Sequence, residues 1–184
     1  ALYIVGSSIY RTTFDTAFHC MYLNSRGESD VNSEPIEKDF AEWMQFGKKE
    51  LVVTETAFVS FGEKATEYSY AIMAKITALV MAHDLDVMIG DTTSTDHYAS
   101  IGGFENLETF LPPDVLTLVQ DRLYYAKDEN GKEFACAIDL SGTEFAEVSN
   151  LSQDTPLLGL VAGSQRTDHS VALIRYIFDP SVTK

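Results

Sequence analysis

The chain has 184 residues, 45% hydrophobic and 22% charged, which is the range of an ordinary globular protein and long enough for one domain with a real core. Its 28 acidic against 13 basic residues leave a net charge of -15, which repels phosphate backbones, and no lysine or arginine cluster offsets it, so nucleic-acid binding is not expected. No apolar run reaches about 18 residues, so no membrane association through a spanning helix is expected, and the reading is one soluble domain over residues 1–184.

In chain order, "LYIVGSSIY" reads as a first strand, central because its apolar run is nearly continuous. The opening has no basic region ahead of a long apolar core, so no secretory signal is expected, and Cys20 and Cys136 fit no zinc or redox spacing. Two reduced, buried thiols and a cytoplasmic location follow. Residues 24–35, polar and rich in turn formers, read as an exposed loop. "IEKDFAEWMQFGKK" then places Ile36, Phe40, Trp43 and Met44 on one face of a helix, with Lys48 and Lys49 in its last turn complementing the dipole.

Residues 54–73, "TETAFVSFGEKATEYSYAIM", read as a hairpin with "GEKA" as its turn. In its second strand Glu67, Ser69 and Ala71 alternate with Tyr68, Tyr70 and Ile72. Helical spacing begins near Ala74, and "DVMIGD" returns to a strand. Two short strands are expected around Gly102-Gly103, a short helix in "PPDVLTLVQDR", and a second hairpin across "DENGK", where Asn130-Gly131 can supply positive φ angles. The remainder offers strands at 157–161 and 171–178. Hairpins broken by a few helices point to α+β rather than to a doubly wound parallel sheet.

Common catalytic signatures are missing: there is no Gly-x-Ser-x-Gly elbow and no P-loop. A repeated Thr-Asp-His element, in "STDHYAS" and "RTDHSVA", offers Asp96, His97, Asp168 and His169 to a metal. Adjacent residues on an extended chain face opposite ways, so turn capping is the preferred reading and no metal or other cofactor is expected. What remains is the hairpin carrying Glu55 and Glu67 beside Phe58, Phe61, Tyr68 and Tyr70. Carboxylates next to aromatic faces suit a ligand with a positive centre and a flat ring, such as a sulfonium or quaternary ammonium compound. The alternative is an ordinary solvated cross-strand face with Glu55 and Glu67 opposite lysines.

The succession of a short first strand, a polar excursion, "TETAFVSFGEKATEYSYAIM", a helix, "DLDVMIGD", "SIGGFENLE" and the hairpin "YYAKDENGKEFACAI" resembles the bacteriophage S-adenosylmethionine lyases, formerly called hydrolases, over residues 2–138. That resemblance implies a ferredoxin-like antiparallel sheet with two or three helices, with extra C-terminal strands from about residue 142, and a homotrimer with substrate bound between subunits. It implies metal-independent cleavage of S-adenosylmethionine, or of a nucleotide-linked derivative, to methylthioadenosine and homoserine lactone, as a counter-defence activity in the host cytoplasm. The substrate's own carboxylate attacks its γ-carbon, and the protein orients it and excludes water. Glu67 carries over as the residue that holds the substrate's ammonium group, with Tyr68, Ser69, Glu55 and Phe58 as further substrate contacts. The competing reading is a non-catalytic acidic protein that inhibits a host enzyme through Glu28, Asp30, Glu34, Glu37, Asp39 and Glu42. A minor structural protein of a virion is a third.

Overall fold

A computed structural model describes residues 14–25 and 30–182. Six strands form one mixed sheet: β1 (Asp15–Leu23), β2 (Glu50–Ala57), β3 (Val87–Gly90), β4 (Leu123–Lys127), β5 (Glu133–Asp139) and β6 (Leu157–Leu160), in the order β2-β1-β3-β6-β5-β4. β1 pairs in parallel with β2 and β3, while β3, β6, β5 and β4 pair antiparallel in succession. Seven helices accompany them among the described residues. α1 is wound as a π-helix over Pro35–Phe40 and continues as an α-helix over Ala41–Trp43. Then come α2 (Glu67–Met81), α3 (Thr92–Ser100), α4 (Leu107–Phe110), α5 (Pro113–Val119), α6 (Glu144–Val148) and α7 (Thr167–Phe178). None of these is long and apolar enough to cross a membrane.

The strand alternation sorts the core into two layers. Phe18, Cys20 and Tyr22 of β1, Val87 and Ile89 of β3, and Leu158 and Leu160 of β6 pack with residues of α1, α5, α6 and α7. Met21, Leu23, Met88 and Leu157 face the other way, toward Ile76 of α2 and Tyr98 and Ala99 of α3. Right-handed crossovers that run in opposite directions must lay their helices on opposite faces. That accounts for α1, which links β1 to β2, lying opposite α2, which links β2 to β3 across β1. Gly159 permits a close approach on the α3 side, because a Cβ there would lie 2.4 Å from a Phe104 ring carbon.

The expected ferredoxin-like antiparallel sheet with two or three helices is therefore wrong: the sheet is mixed, half of it is wound like a parallel α/β protein, and the helices cover both faces. The expected extra strands of the C-terminal part are one strand, β6, and it stands between β3 and β5 in the sheet. The first expected strand lies outside the described residues. The hairpin expected at 54–73 is also a correction, since only its first half is a strand. Thr66 caps the next helix by accepting a hydrogen bond from the Ser69 amide at 3.1 Å, and Glu67 occupies the first turn, where an acid favours the dipole. The apparent alternation over Glu67–Ile72 hid a longer stripe in which Ser69, Ile72, Met73, Ile76, Leu79 and Val80 face the sheet. Residues 171–178 likewise belong to a helix, with Leu173, Ile174 and Ile177 turned inward.

The helix expected in "PPDVLTLVQDR", the strand in "DVMIGD" and the hairpin across "DENGK" are present, and the helix expected from Ile36 is present but ends at Trp43, so Lys48 and Lys49 lie in the turn before β2 and not in its last turn. In that hairpin only Gly131 takes a positive φ, 77°, while the Asp128 carboxylate accepts from the Asn130 and Lys132 amides at 2.8 and 2.9 Å. The two short strands expected around Gly102-Gly103 are replaced by α3 and a single bridge, Phe104 with Val161.

Candidate functional site

In a sheet where parallel strands are wound in both directions, ligands commonly enter outside the carboxyl ends of the strands at the switch point, here between β1 and β3. Side chains and loops of the chain meet there. The Asn24 amide donates to the Val59 carbonyl at 3.0 Å and the Ser94 hydroxyl at 2.9 Å, and its oxygen accepts from the Val59 amide at 2.8 Å. Asp91 caps α3 by accepting from the Ser94 amide at 2.9 Å. These hydrogen bonds join the ends of β1, β2 and β3.

A second polar assembly lies at the opposite end of β3. The carboxylate of Asp86, fully buried, accepts from the His19 amide at 2.8 Å, from the Arg166 Nε at 2.8 Å and from the Ser164 hydroxyl. Arg166 also reaches Asp84 at 3.0 Å. The His19 ring, 4% exposed, places Nδ1 2.7 Å from the Asp84 carbonyl and Nε2 2.9 Å from a Glu55 carboxylate oxygen, and Lys75 of α2 completes the group by pairing with Glu55. Both ring nitrogens lie within hydrogen-bond reach of oxygens, one of a main-chain carbonyl and one of a carboxylate. The hydrogen bond from His19, opposed by partial burial and reinforced by Lys75, holds the Glu55 carboxyl down at about 2. This group ties α2 and α7 to the sheet.

A depressed carboxyl contributes stability above its unfolded value, near 4.3, that fades as pH falls toward 2. Glu55→Gln is therefore expected to lower the urea midpoint at pH 7, by an amount worth about 1–3 kcal/mol for a hydrogen bond to a charged group. The gap from the unsubstituted chain should narrow between pH 4.5 and 2. An equal gap at pH 7 and pH 3 would exclude this linkage.

The remaining expected contacts do not meet Glu55. Glu67 is exposed in the first turn of α2, eight residues before Lys75, so it stands about 12 Å along the helix from the residue that holds Glu55. Tyr68 is 56% exposed, and Phe58 is partly exposed just beyond β2. Ser69 is buried, where its hydroxyl accepts from the Ser60 amide at 3.0 Å, a local anchor for the start of α2. The two Asp-His pairs sit in separate helices, α3 and α7, and among the described residues no group of three His, Cys, Asp or Glu side chains could hold a metal ion.

The combination of acids and aromatic faces that the sequence suggests for the hairpin occurs instead on the other layer. A cavity of about 460 Å³ lies between α1, α6 and α7, within the size range of small-molecule pockets. Trp43 and Tyr176 form its aromatic wall, with ring centroids 5.6 Å apart at 49°, and Phe40 backs both rings at 6.1 and 5.6 Å. Pro35, Phe145 and Val148 add apolar surface, and Asp39, Glu42 and Glu144 supply the carboxylates. Asp39 and Trp43, four residues apart on α1, share a face. Burial, and then the negative charges of Asp39 and Glu144, push the Tyr176 phenol above its usual range, so the field at this wall is negative. The π-winding of α1 is an uncommon helix geometry that is frequently found at functional sites.

Sequence reasoning placed Trp43 on a helix face and noted the acids before it, but it did not join them to Phe145 or Tyr176. "DFAEW" carries the same pairing of acids with an aromatic ring as the segment 54–73. Tyr176 lay in a segment read as a strand. Compared with family models, curated proteins and solved structures, the chain matches none.

Proposed function

We propose that this chain binds a small organic cation carrying a flat or apolar portion in the cavity between α1, α6 and α7. The observation that carries the reading is the Trp43–Tyr176 wall standing beside Asp39, Glu42 and Glu144. A positive centre is attracted both by ring faces and by carboxylates, and an apolar remainder displaces water from the Pro35, Phe145 and Val148 surfaces. S-adenosylmethionine, named by the sequence resemblance, belongs to this class: it has a sulfonium, an ammonium group and a purine.

The reaction proposed with it is the intramolecular lyase step. The substrate carboxylate oxygen forms a bond to Cγ, the Cγ–S bond breaks, and its electron pair stays on sulfur. Methylthioadenosine and homoserine lactone result, with no other reactant needed. The carboxylates would hold the ammonium group and the rings the purine, so that the folded, reactive conformation of the substrate is favoured.

Calorimetric titration with S-adenosylmethionine, followed by mass spectrometry of the mixture, tests both parts. Binding that weakens at least about tenfold for S-adenosylhomocysteine, which lacks the sulfonium charge, supports the cation site. Appearance of methylthioadenosine supports the lyase step, and intact bound substrate would reduce the proposal to binding alone. Absence of binding by S-adenosylmethionine and by tetraalkylammonium ions would overturn it.

A further inference from the structure

The cavity between α1, α6 and α7 carries more negative charge than one cation can match. Asp39 and Glu42 stand one turn apart on α1, Glu144 comes from α6, and no lysine or arginine is among the described residues that line it. Lys38, next to Asp39 in sequence, borders a separate groove between α1 and β2, which Glu42 also reaches. Among the described residues neither Asp39 nor Glu42 forms an ion pair. The acids of the two helices act on one ring: after burial, the charges of Asp39 and then Glu144 push the Tyr176 phenol up, so their fields overlap at the aromatic wall. A single positive centre set against the Trp43 and Tyr176 rings leaves at least one of these carboxylates without a counter-charge.

We propose that the preferred ligands of this cavity carry two positive centres joined by a ring or a short apolar spacer, an inference that rests on the cation-site reading and narrows its ligand class. The ring faces hold the spacer and one centre, and the second centre completes the charge balance with the carboxylates that α1 and α6 contribute. A cavity of about 460 Å³ has room for a benzene ring with a trimethylammonium group at each end. S-adenosylmethionine meets the requirement through its sulfonium and ammonium groups. Its carboxylate finds no basic partner among the described lining residues, so the two positive centres, and not the acid, are what this lining recognises.

Calorimetric titration of the full chain with benzyltrimethylammonium and with para-xylylene-bis(trimethylammonium), which share a ring and differ by one positive centre, is the test. At an ionic strength of about 20 mM the dication is expected to bind at least about fivefold more tightly, beyond the factor of two owed to its equivalent ends, and salt at about 300 mM should shrink the advantage. A chain of charge -15 attracts any dication, so the local origin is checked by substitution. Glu144→Gln should cost the dication more than the monocation, whereas Glu133→Gln, exposed on the β4–β5 hairpin, should leave their ratio unchanged. Equal affinities for the two probes, or a ratio that both substitutions lower alike, would overturn the two-centre proposal while leaving a cation site in place. Failure of both probes to bind would remove the cation site itself, and this inference with it.

Discussion

Replacing Asp86 with alanine is expected to lower the unfolding free energy by about 3–5 kcal/mol, because it removes one partner of a buried ion pair and leaves the other donors unmatched. Three donors converge on this carboxylate: the His19 amide in β1, the Ser164 hydroxyl before α7, and the Arg166 guanidinium at the start of α7. Asp84 holds part of the Arg166 charge, so the loss falls short of a wholly stranded cation. Asp86→Asn should cost less, since one amide oxygen can still accept while the amide nitrogen opposes a donor. Urea unfolding monitored by the single tryptophan checks both, and a loss under about 1 kcal/mol for Asp86→Ala would show that the clasp contributes little. The consequence reaches the cavity, because Arg166 sets the start of the helix whose Tyr176 forms part of its wall.

Trp43→Ala should weaken binding of S-adenosylmethionine, or of a quaternary ammonium probe, by at least about tenfold, the order expected from losing a cation–π contact together with ring burial. Trp43→Phe should restore much of the affinity, since a smaller ring still offers a face. That rescue separates a ligand-contacting role from a merely structural one, because Trp43 also packs on Phe40 and Tyr176. Calorimetric titration of variants whose denaturation midpoints have first been measured gives the answer. Equal affinity in all three proteins would exclude the Trp43 wall as the binding surface.

These two positions were unequally legible. Trp43 could be placed on a helix face because Ile36, Phe40 and Trp43 recur at helical spacing, and the neighbouring acids were plain in the sequence. Asp86 looked like one more charge between a helix and a strand. Nothing local distinguishes a buried carboxylate from a solvated one, since its donors come from three distant segments. Glu67 and Tyr68 show the converse case: their alternation with Ser69 and Tyr70 suggested a hairpin strand, whereas Glu67 stands in the first turn of a helix.

The sequence by itself determined the acidic charge, the strands now seen as β2 and β3, the β4–β5 hairpin and the amphipathic α1, because each of these follows from composition, turn chemistry or periodicity within a dozen residues. Tertiary structure decided the rest. Residues 67–73 and 171–178 carry short apolar patterns compatible with either period, and packing against the sheet selected the helix in both. Strand order depends on crossovers and on β6 entering between β3 and β5, contacts that no local window contains. The cavity is of the same kind: Trp43, Phe145 and Tyr176 become neighbours only when three helices share one face of the sheet, so its chemistry was written in the residue types and its location in the fold.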